Sequence, residues 1–224
     1  MCGRYVLTSP ADAIAEHFAL AAAPDLAPRY NIAPTQLAPV LRRDRQGERE
    51  LVLLRWGLVP MWAKDLSIGT RMINARAESV ASKPGFRWAY QHRRCLIPAD
   101  GFYEWKPGPV RKQPYFCHLP AGGLLAIAGL WEQWKSPDGE VLQTYTIVTT
   151  DANADVRALH DRMPAIVLPE HYDAWLSGPD PSALLAPVAA GTLMAEPVST
   201  RVNNVRNDDA SLVAPIGVAF ADDV

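Results

Sequence analysis

The sequence predicts an α+β fold: a single domain over residues 1–224, with a central curved, barrel-like antiparallel β-sheet flanked by helices. Three observations predict it. Short strand-like segments at close intervals dominate the first two-thirds of the chain. Helical patterns are few and fall between them. The composition, 49% apolar and 21% charged over 224 residues, is that of a globular chain long enough to bury a core without staples.

The expected strands are Arg4–Leu7, Ala38–Arg42, Glu50–Leu54, Cys95–Pro98, Gly101–Trp105, Tyr115–His118, Leu124–Trp131 and Tyr145–Thr150. Each is a short run of apolar, β-branched or aromatic residues bounded by turn formers. The first expected helix runs to Phe18, with Ser9 as N-cap and Pro10 at the first helical position. Lys83–His92 and Pro169–Leu176 are the second and third. The Ala-, Pro- and Gly-rich stretch from Ser177 to Leu193 reads as a peripheral helix with loops. No internal repeat, low-complexity tract or domain boundary is visible.

Composition bounds function. Net charge is −2, which argues against a wholly basic nucleic-acid binder but permits a local basic stripe. Residues 71–94 supply one, with six bases against one acid and Trp88 among them. Cations for phosphates beside rings for bases suit a single-stranded nucleic acid; a solvated basic face over core tryptophans fits as well. Three cysteines, Cys2, Cys95 and Cys117, form no disulfide framework and no CxxC zinc site, so a reducing cytoplasm is expected. No signal-peptide pattern follows Arg4, and the longest apolar run, residues 121–131, is too short to span a bilayer. No metal, cofactor or membrane partner is expected.

Four residues have chemistry to offer. Cys2 is small enough for an aminopeptidase to remove Met1, leaving a free α-amine beside a thiol. Such a 1,2-aminothiol condenses with an aldehyde to an imine, and the thiol then closes a thiazolidine ring. An α-amine titrates near 7.7–8.0, so roughly a tenth is nucleophilic at neutral pH without help. An inert small residue near a chain end fits the position equally. Asn74, in Ile73-Asn74-Ala75-Arg76, fits either a holder of a substrate oxygen or terminal amine, or a turn cap. Glu104, between Tyr103 and Trp105, is either a desolvated proton shuttle or an outward-facing residue of an alternating strand. His160, in Leu159-His160-Asp161-Arg162-Met163-Pro164, titrates near 6.5 and lies in a loop; it suits proton exchange or a plain surface role.

The order and spacing of short blocks add a resemblance that covers nearly the whole chain. They are MCGRY at the start, Tyr30-Asn31-Ile32-Ala33-Pro34, Trp56-Gly57-Leu58-Val59-Pro60, INARAES from Ile73, CLIPADGFYEWK from Cys95, Gln113-Pro114-Tyr115, the strand to Gly129-Leu130-Trp131, TIVTTDAN from Thr146, HDRMP from His160, and Val198-Ser199. Together they resemble the SOS-response-associated peptidase family, the abasic-site processing proteins. Class II glutamine amidotransferases also begin Met-Cys-Gly, but share none of the later blocks.

The resemblance implies binding to single-stranded DNA at abasic sites and a thiazolidine crosslink between Cys2 and the ring-opened deoxyribose aldehyde. It also implies a self-cleavage that exposes Cys2. Carried over, Cys2 is the nucleophile, Asn74 orients the sugar or amine, Glu104 moves protons, and His160 assists sugar opening and reversal. Pro34 and Thr149 line the pocket, Arg4, Arg76 and Arg162 contact phosphates, and Trp62 stacks or wedges. A monomer is expected, cytoplasmic and nucleoid-associated when bound to DNA. Some members carry two tryptophans after the Trp-Gly block; Met61-Trp62-Ala63 keeps one. The alternatives are an N-terminal-nucleophile amidohydrolase without a DNA role, and a non-enzymatic single-strand binding module.

Overall fold

Residues 2–217 are described in a computed structural model of the chain. Among them the strands are β1 (Tyr5–Leu7), β2 (Arg29–Ile32), β3 (Leu37–Arg43), β4 (Arg49–Trp56), β5 (Asn74–Arg76), β6 (Arg94–Ala99), β7 (Gly101–Lys106), β8 (Gln113–His118), β9 (Leu125–Lys135), β10 (Val141–Asp151), β11 (Arg162–Pro164) and β12 (Met194–Pro197). The helices are α1 (Ala11–His17), α2 (Arg87–His92), α3 (Ala154–Arg157) and α4 (Tyr172–Ser177).

The long strand β10 organises the larger sheet. It pairs with β9 along Val141–Ile147, with β4 at Thr144 and Tyr145, with β5 from Ile147 to Thr149, and with β11 from Thr149 to Asp151. Because β4 also pairs β3, β3 pairs β6 and β6 pairs β9, the circuit β10-β4-β3-β6-β9 closes on itself as a five-stranded barrel. Closure removes the free edges that such strands would otherwise expose. The expected barrel-like sheet is present and mostly antiparallel, with β4 and β5 the two strands that run parallel to β10. Gly129 of β9 shows how tightly the wall is drawn: a Cβ there would lie 3.0 Å from Cys95 Sγ and from the Thr146 carbonyl. A second, antiparallel sheet runs β12-β8-β7-β1-β2.

The second sheet is covered on both faces. Side chains alternate along a strand, so Tyr5 and Leu7 of β1 and Phe102 of β7 join the main core, while Val6 and Tyr103 join a smaller one with Phe116, Val198, Val202 and Leu212. In the main core the Tyr5 and Tyr145 hydroxyls lie 2.7 Å apart, and Trp56 packs on both rings.

Every expected strand is present, most of them longer by a residue or more at an end. The missing ones, β2, β5, β11 and β12, are three or four residues each and form against strands already in place. The expected cap of α1 is also corrected. Pro10 occupies the N-cap position, and the Ser9 hydroxyl donates to the Asp100 carboxylate, which also receives the Thr8 hydroxyl at 2.9 Å. Asp100 thereby ties the end of β1 to the β6–β7 turn. The second helix starts at Arg87, after turns over residues 79–86, and the third begins as a 3-10 turn at Pro169–His171. Between residues 177 and 193 the only helical turn is Ser182–Leu185, of 3-10 type. No helix among the described residues is long and apolar enough to cross a membrane.

Candidate active site

The pairing of β1 with β7 draws the chain start into the main core, where Cys2 is fully buried. Its thiol contacts the Arg4 carbonyl at 3.8 Å. Burial pushes the thiol well above its ordinary range, and the nearby Glu104 carboxylate adds to the rise, so sulfur rests as S–H. Backbone pairing of β5 with β10 places Asn74 opposite Ile147. From there Asn74 Nδ2 donates to the Cys2 carbonyl at 2.9 Å, and Asn74 Oδ1 is buried with no partner among the described residues.

Glu104 lies on β7 two residues after Phe102, on the face turned to the main core, and is 2% exposed. The outward-facing reading therefore fails. Burial raises its carboxyl to about 7, where it gives or takes a proton at neutral pH. His160 follows α3 and is partly exposed. Burial lowers the pKa of its ring, while Asp161 partly opposes that. Its Nδ1 lies 2.9 Å from the Arg162 amide N and 2.7 Å from Asp161 Oδ1. The neutral ring accepts from Arg162 N–H and so carries its proton on Nε2; the charged ring donates to Asp161.

His160 separates two open clefts. One, of about 660 Å³, is lined by Arg76, Arg162, Glu78, Asp151 and Asp161. The other, of about 600 Å³, is lined by Glu104, Trp105, Arg4, Arg111, Lys112 and Asn203. Arg76 is exposed. Arg162 is not: its side chain is 11% exposed and bridges Asp151 at 2.8 Å, both oxygens of Glu78, and the Thr149 carbonyl at 2.6 Å. Arg4 donates to Asn31 Oδ1 at 2.8 Å and to the Val202 carbonyl at 2.7 Å. The Thr149 hydroxyl is buried against the Ala75 carbonyl.

Cys2, Asn74, Glu104 and His160 thus come together from four distant stretches, with Arg4, Arg76, Thr149 and Arg162 around them. Pro34 and Trp62 line neither cleft. Pro34 leads a tight turn in which Gln36 N–H donates to the Ala33 carbonyl and Thr35 takes φ +74°, while Trp62 is 59% exposed. Sequence reasoning missed Trp105, Arg111, Lys112 and Asn203. The basic pair after Pro107-Gly108-Pro109 was the available signal for two of them. Among the described residues no group of three or more His, Cys, Asp or Glu could hold a metal ion.

A buried cysteine at the chain start, an amide on its carbonyl, a carboxyl near neutrality and an imidazole define a cysteine-centred acid–base site beside a mixed β-barrel. Solved structures share the fold. One from Bacteroides thetaiotaomicron superposes with a TM-score of 0.85 at 23% identity, covering 96% of this chain and 100% of that one. One from Bordetella bronchiseptica gives 0.78 at 29% identity, covering 88% and 100%. The profile of the SOS response associated peptidase (SRAP) family matches residues 1–205, and the chain belongs to that family. The Abasic site processing protein YoqW of Bacillus subtilis is 43% identical, over 95% of this chain and 99% of its own. The Abasic site processing protein HMCES of Gallus gallus is 36% identical, over 88% and 69%.

Proposed function

We propose that this protein processes abasic sites in single-stranded DNA by trapping the ring-opened deoxyribose aldehyde on Cys2 as a thiazolidine. The names of its relatives support the lesion class. The observation that carries the chemistry is the hydrogen bond from Asn74 to the Cys2 carbonyl beside the buried Glu104 carboxyl. An amide that fixes the Cys2 backbone fixes its amine and thiol relative to one incoming carbon, and positioning of that kind accelerates condensation strongly.

Met1 must leave first, because only a free Cys2 amine can form the ring. The small Cys2 side chain suits an aminopeptidase, and the family's name records a peptidase. The amine then adds to the aldehyde carbon to give a carbinolamine. Protonated Glu104 gives its proton to the departing hydroxyl, which leaves as water, and the carbon becomes an iminium. The Cys2 thiol adds to that carbon and returns a proton to Glu104. One C–N and one C–S bond form, one water leaves, and Glu104 ends as it began. His160, with a donating Nε2–H, faces the sugar oxygen during ring opening. Buried free thiols at Cys2, Cys95 and Cys117 suit a reducing cytoplasm, and the protein acts there as a monomer.

The test is incubation of the purified protein with a single-stranded oligonucleotide carrying one abasic site. A heat-stable adduct, absent with Cys2→Ala and absent in protein whose intact mass retains Met1, is the expected result. An adduct that persists in Cys2→Ala overturns the proposal.

A further inference from the structure

The two clefts that meet at His160 carry opposite charge. In the first, Arg162 is already bridged to Glu78 and Asp151, and Asp161 adds a third carboxylate; Arg76 is the remaining cation. In the second, Arg4, Arg111 and Lys112 face the Glu104 carboxyl. Arg111 and Lys112 are exposed, and neither makes an ion pair or a side-chain hydrogen bond among the described residues. Both sit in the β7–β8 hairpin loop, which follows the strand that carries Glu104. The charge of Lys112 reaches the site, since it adds to burial in lowering the proton affinity of His160. Trp105 forms the cleft wall and is fixed by its indole N–H, which donates to Asn203 Oδ1 at 2.7 Å.

A polyanion is attracted to a cleft with unpaired cations and much less to one whose cations are already neutralised. We infer that Arg111 and Lys112 form a phosphate clamp that holds a phosphodiester of the single strand on the β7–β8 side of the reacting nucleotide. Trp105 is then the ring on which an adjoining base stacks. The inference rests on the single-strand reading of the site. It adds to Arg76 of the basic 71–94 block a loop whose two charges are small in any composition count. It also gives the lesion two flanks, with Arg76 on one side of His160 and the hairpin on the other, as a lesion inside a strand requires.

The test separates the clamp from the covalent chemistry. Cys2→Ala protein, which cannot form the ring, is titrated with an undamaged single-stranded oligonucleotide at several salt concentrations, with and without Arg111→Gln/Lys112→Gln. The clamp neutralises one single-strand phosphate, and each contributes about 0.7 to the slope of log affinity against log salt, so the double variant loses about 0.7. Arg111→Lys/Lys112→Arg keeps the slope. All forms keep the same melting temperature, because both side chains are exposed. An unchanged slope in the Gln variant overturns the clamp even where wild-type protein forms its adduct with abasic DNA. A reduced slope with no adduct from wild type keeps the clamp and removes the covalent reading.

Discussion

Asn74 holds Cys2 by its carbonyl: Nδ2 donates to Cys2 O at 2.9 Å, while Asn74 Oδ1 stays buried with no partner among the described residues. One end of the amide fixes the nucleophile's backbone, and the other remains available to a donor that arrives later. Asn74→Ala is expected to slow crosslinking by about 10- to 100-fold, through loss of positioning. It should cost only about 1 kcal/mol of stability, the worth of one hydrogen bond. Single-turnover adduct formation and a urea midpoint check both numbers. An unchanged rate would show that the amide is structural alone.

Glu104 links activity to stability through one proton. Burial raises its carboxyl from 4.5 to about 7, so between those values the folded state holds a proton that the unfolded state has released. Stability is therefore highest below pH 4.5 with respect to this group and falls as pH rises to 7, by about 3 kcal/mol. Glu104→Gln should remove that slope and be the more stable protein at pH 8. The same substitution should reduce crosslinking on the order of 100-fold or more, because Gln neither gives nor takes the proton. Urea midpoints at pH 5 and 8 for both proteins decide the first point, and the pH–rate profile decides the second.

The four reacting residues were legible because each stands in a block with its own local logic. What surrounds them was less so, for physical reasons. β5 and β11 consist of Asn-Ala-Arg and Arg-Met-Pro, with no alternation to read, and exist because β10 offers them an edge. The burial of Glu104 was ambiguous, because a strand packed on both faces has no solvent side to betray by polarity. Charge counting overstated the 71–94 block. Arg94 donates to the carbonyls of Tyr90 and Gly178, and Arg93 pairs with Glu132, so neither guanidinium is free. A count registers cations, whereas binding depends on which of them lack partners.

Arg162 tests that distinction. The sequence expectation gives it to a phosphate; the structure gives it to Glu78, Asp151 and the Thr149 carbonyl. Arg162→Gln is expected to lower stability by about 1–3 kcal/mol, the range for removing one partner of a buried polar contact. The salt slope for single-stranded DNA should stay at the wild-type value, because the lost charge was already neutralised. A slope smaller by about 0.7, with stability intact, would return Arg162 to the phosphates.

The segment that leads to Asn74 depends on two glycines in contact. Gly57 has φ +112°, and a Cβ on it would fall 2.6 Å from the Gly69 carbonyl oxygen; a Cβ on Gly69 would fall 2.7 Å from the Gly57 oxygen. The crossing is bracketed by Gly57 N–H to Tyr145 O at 2.8 Å and Leu58 N–H to Met72 O at 3.1 Å, two residues before Asn74. Gly57→Ala combines left-handed strain with a backbone clash and should cost about 2–4 kcal/mol. Any displacement of residues 57–72 reaches Asn74, so the folded fraction should also crosslink slowly. Gly122→Ala is the control. Gly122 has φ +72° but open space around its Cβ position, so it carries the strain without the clash and should cost about 1 kcal/mol. Equal losses in the two variants would mean that the Gly57–Gly69 contact yields without effort and does not fix Asn74.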